Sequence, residues 1–150
     1  MAWTSQQSAR LRLEMEILER YFPSFYLKDS IIPGRACVEG IIRSNSGAEY
    51  VVRLHVPADL PNSVPDLEIV SPFLHDRFGH SLVELGTSYP MHLLKPEGGL
   101  VRICHYSASH WNPNITFAKV LLKIRAWVEG YEGHIETGFP IDHFLPHMQA

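Results

Sequence analysis

The sequence has few cysteines, no long apolar run and no excess of basic charge. Its two cysteines, Cys37 and Cys104, fit neither a disulfide framework nor a CxxC motif. No apolar run approaches the roughly 18 residues that a membrane helix needs. A net charge of -3 leaves no basic excess to displace counterions from phosphates, which argues against a dedicated nucleic-acid binder. With no charged and then apolar segment at its start, the chain is predicted to be cytoplasmic, with reduced thiols.

The sequence does have the composition of a globular domain. Hydrophobic residues make up 45% of the 150 residues and charged residues 19%, a balance that favours a packed core over disorder. A chain of this length buries roughly 68–70% of its unfolded surface, so it needs neither a disulfide nor a structural metal for stability. No repeat or linker divides the chain, and we expect one domain over residues 1–150.

The first half of the chain predicts a helix followed by antiparallel strands. Apolar residues recur at i, i+4, i+7 and i+11 from Leu11 to Phe22, the spacing of one buried helical stripe. Thr4 and Gln7 fit a capping box at the start of this helix. An Asn-Ser-Gly turn at 45–47 joins two segments of alternating apolar residues, which predicts a β-hairpin.

A third strand, a looped region and a second helix are predicted to follow. Residues 67–70 have the composition of a short strand, whereas 72–103 contain enough proline and glycine to predict a loop. Helical spacing resumes at Phe117, and Gly130 is suited to end that helix. Residues 131–150 are expected to form an extended tail packed on the domain. Its packing residues are predicted to be Phe139, Ile141 and Phe144.

The order of these elements indicates the fold class. The predicted helices lie on either side of a block of strands instead of alternating with them. Separation of this kind is typical of an α+β domain with an antiparallel sheet, and not of a parallel βαβ fold.

The most specific signal in the sequence surrounds Cys104. An Ile-Cys pair ending in this residue is followed, seven residues past the cysteine, by Trp-Asn-Pro, then by Thr116 and a Val-Leu-Leu run at 120–122. This stretch resembles the core of the ubiquitin-conjugating enzyme (E2) family, which has Ile-Cys, Trp-x-Pro and a Val-Leu-Leu helix in the same register. The proline-spaced segment 57–65 looks like the family's segment after its third strand. The resemblance covers about residues 5–130.

Resemblance to this family implies a UBC-like fold. Its parts would be an N-terminal helix, an antiparallel meander of about four strands, a loop with the active-site cysteine, and a C-terminal helix. It also implies that Cys104 accepts a C-terminal carbonyl as a thioester and passes it to an amine, usually that of a lysine. A thiol suits this chemistry because thiolates are strong nucleophiles and thioesters remain reactive towards amines. No cofactor is implied on this chain, since an upstream activating enzyme would use the ATP.

The sequence departs from the family upstream of the cysteine. Where the family has His-Pro-Asn, this chain has His92 followed by two leucines, and Leu94 has no donor for an oxyanion. His92 matches the family's histidine and is a candidate catalytic residue. His105 is a second candidate, because a histidine beside a thiol can lower the thiol pKa or carry protons. Further candidates for the missing donor are His110, Asn112 and backbone amides near the cysteine.

The resemblance also suggests partners. The missing asparagine, the many histidines and the Gly98-Gly99 loop resemble divergent bacterial E2-like proteins, among them those of antiphage operons built around a cyclic-oligonucleotide synthase (CBASS). The implied acyl donor is the C-terminus of that synthase (a CD-NTase) or a ubiquitin-like protein, with an activating enzyme as a further partner. In the family the first helix binds the activating enzyme. Arg10 and Arg12 would serve there or form an ordinary solvated face.

Three other interpretations stay open on the sequence alone. A non-catalytic E2 variant that binds proteins fits the missing asparagine but leaves the retained cysteine unexplained. A Cys-His hydrolase would pair Cys104 with His92 or His105, with Asn112 as the orienting residue. A zinc site could be drawn from the same cysteine with His92, His105 and His110. No ligand pair among them has standard spacing, so we expect no metal.

Overall fold

One antiparallel sheet organises the chain between an N-terminal and a C-terminal helix. The computed structural model describes residues 2–30 and 32–146. The strands are β1 (Tyr26–Lys28), β2 (Cys37–Arg43), β3 (Glu49–His55), β4 (Asp66–Ser71), β5 (Leu93–Glu97) and β6 (Leu100–Ile103). The helices are α1 (Ser5–Tyr21), α2 (Leu82–Leu85), α3 (Phe117–Thr137) and α4 (Ile141–Phe144). The sheet order is β1-β2-β3-β4-β6-β5 with antiparallel neighbours throughout, which confirms the α+β class.

The expected number of about four strands is too low, since the described residues form six. The two strands β5 and β6 lie within 72–103, which was predicted to be a loop. They form a hairpin through Gly98 and Gly99, whose positive φ values of 59° and 74° suit a tight turn. Pro96 is tolerated in β5 because β5 is at the sheet edge, where a missing N–H breaks no central ladder.

Helix α1 forms as its sequence predicts. Thr4 accepts the backbone N–H of Gln7 at 3.0 Å, and the Gln7 side chain accepts the N–H of Thr4 at 3.0 Å, so the capping box is complete. Leu11 and Leu18 are buried on the predicted stripe. The helix ends at Tyr21, shortly before a proline.

A polar clamp that the sequence did not suggest joins α1 to the start of α3. The buried carboxylate of Glu14 accepts the backbone N–H of Phe117 at 3.1 Å and the Nε–H of Arg10 at 3.0 Å. Arg10 also donates to the carbonyls of Pro113 at 2.6 Å and Ile115 at 3.1 Å. The clamp therefore fixes the end of the loop that leads into α3.

Helix α3 continues past Gly130, where it was predicted to end. It reaches Thr137 and ends at Gly138 in the left-handed conformation, with φ of 83°. Gly130 stays inside the helix because α4 packs closely there: a Cβ at this position would lie 3.1 Å from Cγ2 of Ile141. Tertiary packing, and not local propensity, sets the end of this helix.

The predicted extended tail is helical in its first part, since residues 131–137 belong to α3. Ile141 is fully buried, as expected of a packing residue, whereas Phe139 and Phe144 are 52% and 42% exposed. The last residues of the predicted tail, 147–150, lie outside the described residues.

A single buried cluster unites one face of the sheet with α1, α3 and α4. Trp127 on α3 is fully buried in it and donates its indole N–H to the carbonyl of Met91 at 3.0 Å. This bond ties α3 to the segment just before β5. The core thereby holds in place the two strands that lead to Cys104.

Candidate active site around Cys104

Cys104 lies directly after β6, and the sheet hydrogen bonding continues into it. Leu93 pairs with Ile103 between β5 and β6. One step further, the backbone N–H of Cys104 donates to the carbonyl of His92 at 2.8 Å. The cysteine is free and partly exposed, and this hydrogen bond fixes its backbone.

A cavity of about 320 Å³ opens beside the cysteine, which forms part of its wall. Leu93 and Leu94 of β5 are among the residues that line it, together with Tyr89. Small-molecule sites have volumes of about 300–1,000 Å³, so this cavity is suited to one small group. Leu94, which replaces the family's asparagine, thus lines the site and offers no hydrogen bond there.

Three residues with hydroxyl groups line the same cavity: Thr87, Ser88 and Ser107. A hydroxyl can donate one hydrogen bond, so each has the chemistry of the missing asparagine donor. Oγ of Ser107 is hydrogen-bonded to Nδ1 of His110 at 2.5 Å, which connects this histidine to the cavity indirectly. Sequence reasoning missed these serines and threonine because no motif distinguishes them from ordinary loop residues.

His105 lines the cavity but does not form a hydrogen bond to the thiol. Its Nε2 lies 2.7 Å from the carbonyl of Pro65, which can only accept, so this nitrogen carries the proton. Nδ1 is buried and has no hydrogen-bond partner. Burial lowers the pKa of His105 to about 4, so the ring is uncharged near neutral pH. In this state it supplies no positive charge to Cys104.

His92 reaches the cysteine through its backbone, and its ring contacts α4. The side chain is buried, and Nε2 lies 3.2 Å from Oδ1 of Asp142 in α4. The backbone N–H of Asp142 donates to the carbonyl of Pro90 at 2.8 Å, which docks α4 on the same segment. Asp142 is a second residue that sequence reasoning missed, because it is distant in the chain and carries no motif.

Lys123 on α3 is the cation that acts on the thiol. Burial raises the pKa of Cys104, and the positive charge of Lys123 opposes that rise. Burial also lowers the pKa of Lys123, and Cys104 opposes that fall. The Lys123 ammonium lies 4.2 Å from the ring centroid of Tyr106, an interaction that holds it near the site. The helical spacing of residues around Lys123 did not predict that this side chain acts on the thiol.

An aromatic contact supports the loop after the cysteine. Tyr106 packs edge-on against Trp111, with 5.8 Å between ring centroids. The indole N–H of Trp111 donates to the carbonyl of Pro61 at 3.1 Å. Asn112, a candidate oxyanion donor, instead uses its side-chain oxygen to accept the N–H of Asn114 at 2.9 Å. These contacts give the Trp-Asn-Pro segment a structural role.

The second cysteine has a different setting. Cys37 is buried in β2, and burial raises the pKa of its thiol. Within residues 2–30 and 32–146, no three metal-ligating side chains lie close enough to hold an ion. No helix in that part of the chain combines the length and apolar character needed to cross a membrane.

Comparison with known proteins leaves the family open: no protein-family model and no curated protein sequence matches the chain.

Proposed function

We propose that the protein is an E2-like conjugating enzyme with a UBC-like fold, in which Cys104 carries an acyl group as a thioester and transfers it to an amine. One observation carries the proposal: a free, partly exposed cysteine follows the last strand and lines a cavity, with its backbone held by His92. The Ile-Cys and Trp-x-Pro spacing of the sequence supports the same assignment.

The proposed reaction has two steps. The Cys104 thiolate attacks an activated C-terminal carbonyl, so that a C–S bond forms and the activating group leaves. An amine, in most cases that of a lysine, then attacks the thioester, the C–N bond forms, the C–S bond breaks and the amine proton passes to solvent. The protein contributes mainly by positioning the reactants and by stabilising charge in the transition state.

Three groups around Cys104 support these steps. The Lys123 ammonium favours the thiolate over the thiol, which increases the reactive fraction of Cys104. In place of an asparagine, the hydroxyl of a lining residue such as Thr87 would donate to the developing oxyanion. His92 acts on the site through its backbone carbonyl, as a positioning residue.

The acyl donor is proposed to be a ubiquitin-like protein or the C-terminus of a cyclic-oligonucleotide synthase from an antiphage operon. This part of the proposal is supported by the sequence resemblance. An activating enzyme upstream would use ATP to form the activated carbonyl.

The test is to co-express the chain with the proteins of its genomic neighbourhood and compare native Cys104 with Cys104→Ser. We expect a thiol-sensitive adduct on the native protein and a thiol-resistant oxyester on the serine variant, both visible by intact mass and on non-reducing gels. Cys37→Ser is the matched control and should keep the thiol-sensitive adduct. With an active donor and activating enzyme present, absence of any adduct on both Cys104 forms contradicts the proposal.

A second candidate function is a non-catalytic module that binds proteins. It is favoured by the raised pKa of the Cys104 thiol, which burial causes, and by the lack of a hydrogen bond from His105 to that thiol. Native-state alkylation separates the two candidates. An active-site thiol reacts readily in the folded protein, whereas a structural thiol reacts as slowly as the buried Cys37.

A further inference from the structure

We propose that Asp142 in α4 is a positioning residue of the acyl-transfer site, which acts on Cys104 through the ring and the backbone of His92. The proposal rests on the proposed acyl transfer at Cys104 and adds α4 to the elements that this transfer requires. Loss of the Asp142 carboxylate should therefore slow acylation of Cys104 more than it slows simple alkylation of the same thiol.

The four-residue loop 89–92, just before β5, connects α4 to the cysteine. Each of its four carbonyls accepts a hydrogen bond, and one of these bonds lies within the loop. The other three donors are the backbone N–H of Asp142 at 2.8 Å, the indole N–H of Trp127 at 3.0 Å and the backbone N–H of Cys104 at 2.8 Å. The loop is thus held by α3 and α4 and in turn holds the backbone of Cys104.

The last residue of this loop, His92, has a left-handed backbone conformation with φ of 54°. Residues other than glycine adopt it uncommonly, because Cβ then comes too close to the carbonyl oxygen. The carbonyl that accepts the N–H of Cys104 belongs to this same residue. A return of φ to the ordinary negative range would reorient that carbonyl relative to the loop, so contacts of His92 must offset the cost of its conformation.

The ring of His92 makes such a contact with Asp142. The His92 side chain is buried, and its Nε2 lies 3.2 Å from Oδ1 of Asp142. A carboxylate can only accept a hydrogen bond, so Nε2 is the donor. Asp142 thereby holds the loop at two points, the His92 ring through its carboxylate and the carbonyl of Pro90 through its own N–H. The adjacent Ile141 is fully buried and anchors α4 in the core.

The test compares two reactions of Cys104 in the whole chain, with Cys37→Ser in every variant so that each mass addition reports Cys104. For acylation the donor is the 2-mercaptoethanesulfonate thioester of N-acetylglycine. The Cys104 sulfur forms a C–S bond to the carbonyl, the donor C–S bond breaks, and the thiol proton goes to the released mercaptoethanesulfonate. For alkylation the reagent is iodoacetamide, where an S–C bond forms, iodide leaves and the thiol proton goes to buffer.

The ratio of the two rates, both measured by intact mass, isolates positioning. Alkylation depends on the exposure and thiolate fraction of Cys104, whereas acylation also passes through a tetrahedral oxyanion that the site must accommodate. Dividing the acylation rate by the alkylation rate therefore removes the effects of exposure and thiolate fraction. The same ratio for free glutathione gives the reference without a protein site.

We expect the wild-type ratio to exceed that of glutathione by at least about tenfold and Asp142→Ala to remove most of this excess, since a 1 Å misplacement can cost about 100-fold. Asp142→Asn keeps a side-chain oxygen that accepts a hydrogen bond and should retain most of the wild-type ratio. Glu136→Ala is the matched control, because Glu136 is an exposed carboxylate near the end of α3, and it should leave the ratio unchanged.

A double-mutant cycle tests the route through His92. His92→Gly removes the ring, and glycine adopts positive φ readily. In this background Asp142→Ala should have no further effect on the ratio, because the contact that it removes is already gone. Two independent losses that add in the double variant would mean that Asp142 does not act through the His92 ring.

The other outcomes separate positioning from acyl carriage. Asp142→Ala that lowers stability but keeps the wild-type ratio, an equal loss in Glu136→Ala, or a wild-type ratio no higher than that of glutathione overturns the proposal while acyl carriage stands. No acylation of Cys104 in folded wild-type protein overturns both. Circular dichroism and urea denaturation establish folding and stability. Asp142→Leu, which keeps the volume but accepts no hydrogen bond, replaces Asp142→Ala if that variant does not fold.

Discussion

His105 and Lys123 differ in how they relate to the cysteine. His105 is adjacent to Cys104 in sequence, yet its ring is hydrogen-bonded to Pro65 and uncharged near neutral pH. Lys123 lies nineteen residues further along the chain, and its charge acts directly on the thiol. The sequence could therefore single out Cys104 but not the cation that acts on its thiol, because that cation is brought near only when α3 packs beside the loop.

Replacing the lysine gives a test at the residue scale. In Lys123→Met the positive charge that opposes the raised pKa of Cys104 is gone, so the pKa rises further. We expect alkylation of Cys104 by iodoacetamide to be roughly two- to tenfold slower at pH 7.5, and the difference to disappear at a pH well above the thiol pKa. A pH profile of the alkylation rate measures both effects.

The matched control is Lys119→Met, since Lys119 is exposed one turn earlier on the same helix. This variant should have the wild-type profile. An unchanged profile in Lys123→Met, or an equal shift in both variants, would show that Lys123 has no specific effect on the thiol.

The helices and strands with strong sequence periodicity were predicted. The elements and helix ends that depend on tertiary packing were not. Helix α1 and the β2–β3 hairpin formed as predicted, because their capping box and turn residues are local signals. The β5–β6 hairpin was missed because its strands are short and contain a proline. The end of α3 was missed because Gly130 has a packing role that only the position of Ile141 reveals.

The clamp between α1 and α3 gives a test at the scale of elements. In Glu14→Ala the N–H of Phe117 loses its acceptor and the Arg10 guanidinium loses its carboxylate. We expect the free energy of unfolding to fall by about 2–4 kcal/mol, as when a buried, hydrogen-bonded charge loses its partner. Equilibrium urea denaturation monitored by tryptophan fluorescence measures this change.

Glu16→Ala is the control for this prediction, because Glu16 is exposed on the same helix. Its effect should stay within about 0.5 kcal/mol of wild type, as is usual for surface positions. A loss in Glu14→Ala no larger than this would mean that the clamp does not contribute to stability.

At the scale of the whole molecule, contacts from several distant segments hold the candidate site. α4 reaches it through Asp142 and His92, α3 through Trp127 and the carbonyl of Met91, and the loop before β4 through Pro61 and Trp111. The sequence predicted the order of elements and the place of the cysteine between sheet and helix. It could not predict these links, because each joins residues far apart in the chain without a motif at either end.

This arrangement fits our proposal that the site acts mainly by positioning the reactants. Cys104 is partly exposed, its backbone is fixed, and the cavity beside it is largely apolar. Of the two histidines that the sequence predicts to be catalytic, His105 is hydrogen-bonded to the carbonyl of Pro65, and Nε2 of His92 lies 3.2 Å from Asp142. In our account, positioning of the acyl group and stabilisation of the thiolate are the main contributions of the protein.

The most direct test of acyl carriage is intact-mass analysis of the protein isolated from cells that contain its natural neighbours, under acidic non-reducing conditions. The account predicts a mass addition that maps to Cys104, that neutral hydroxylamine removes, and that is absent from Cys104→Ala. A hydroxylamine-resistant addition, an addition on Cys37, or a chain that stays unmodified while its donor and activating enzyme are present and active would contradict it.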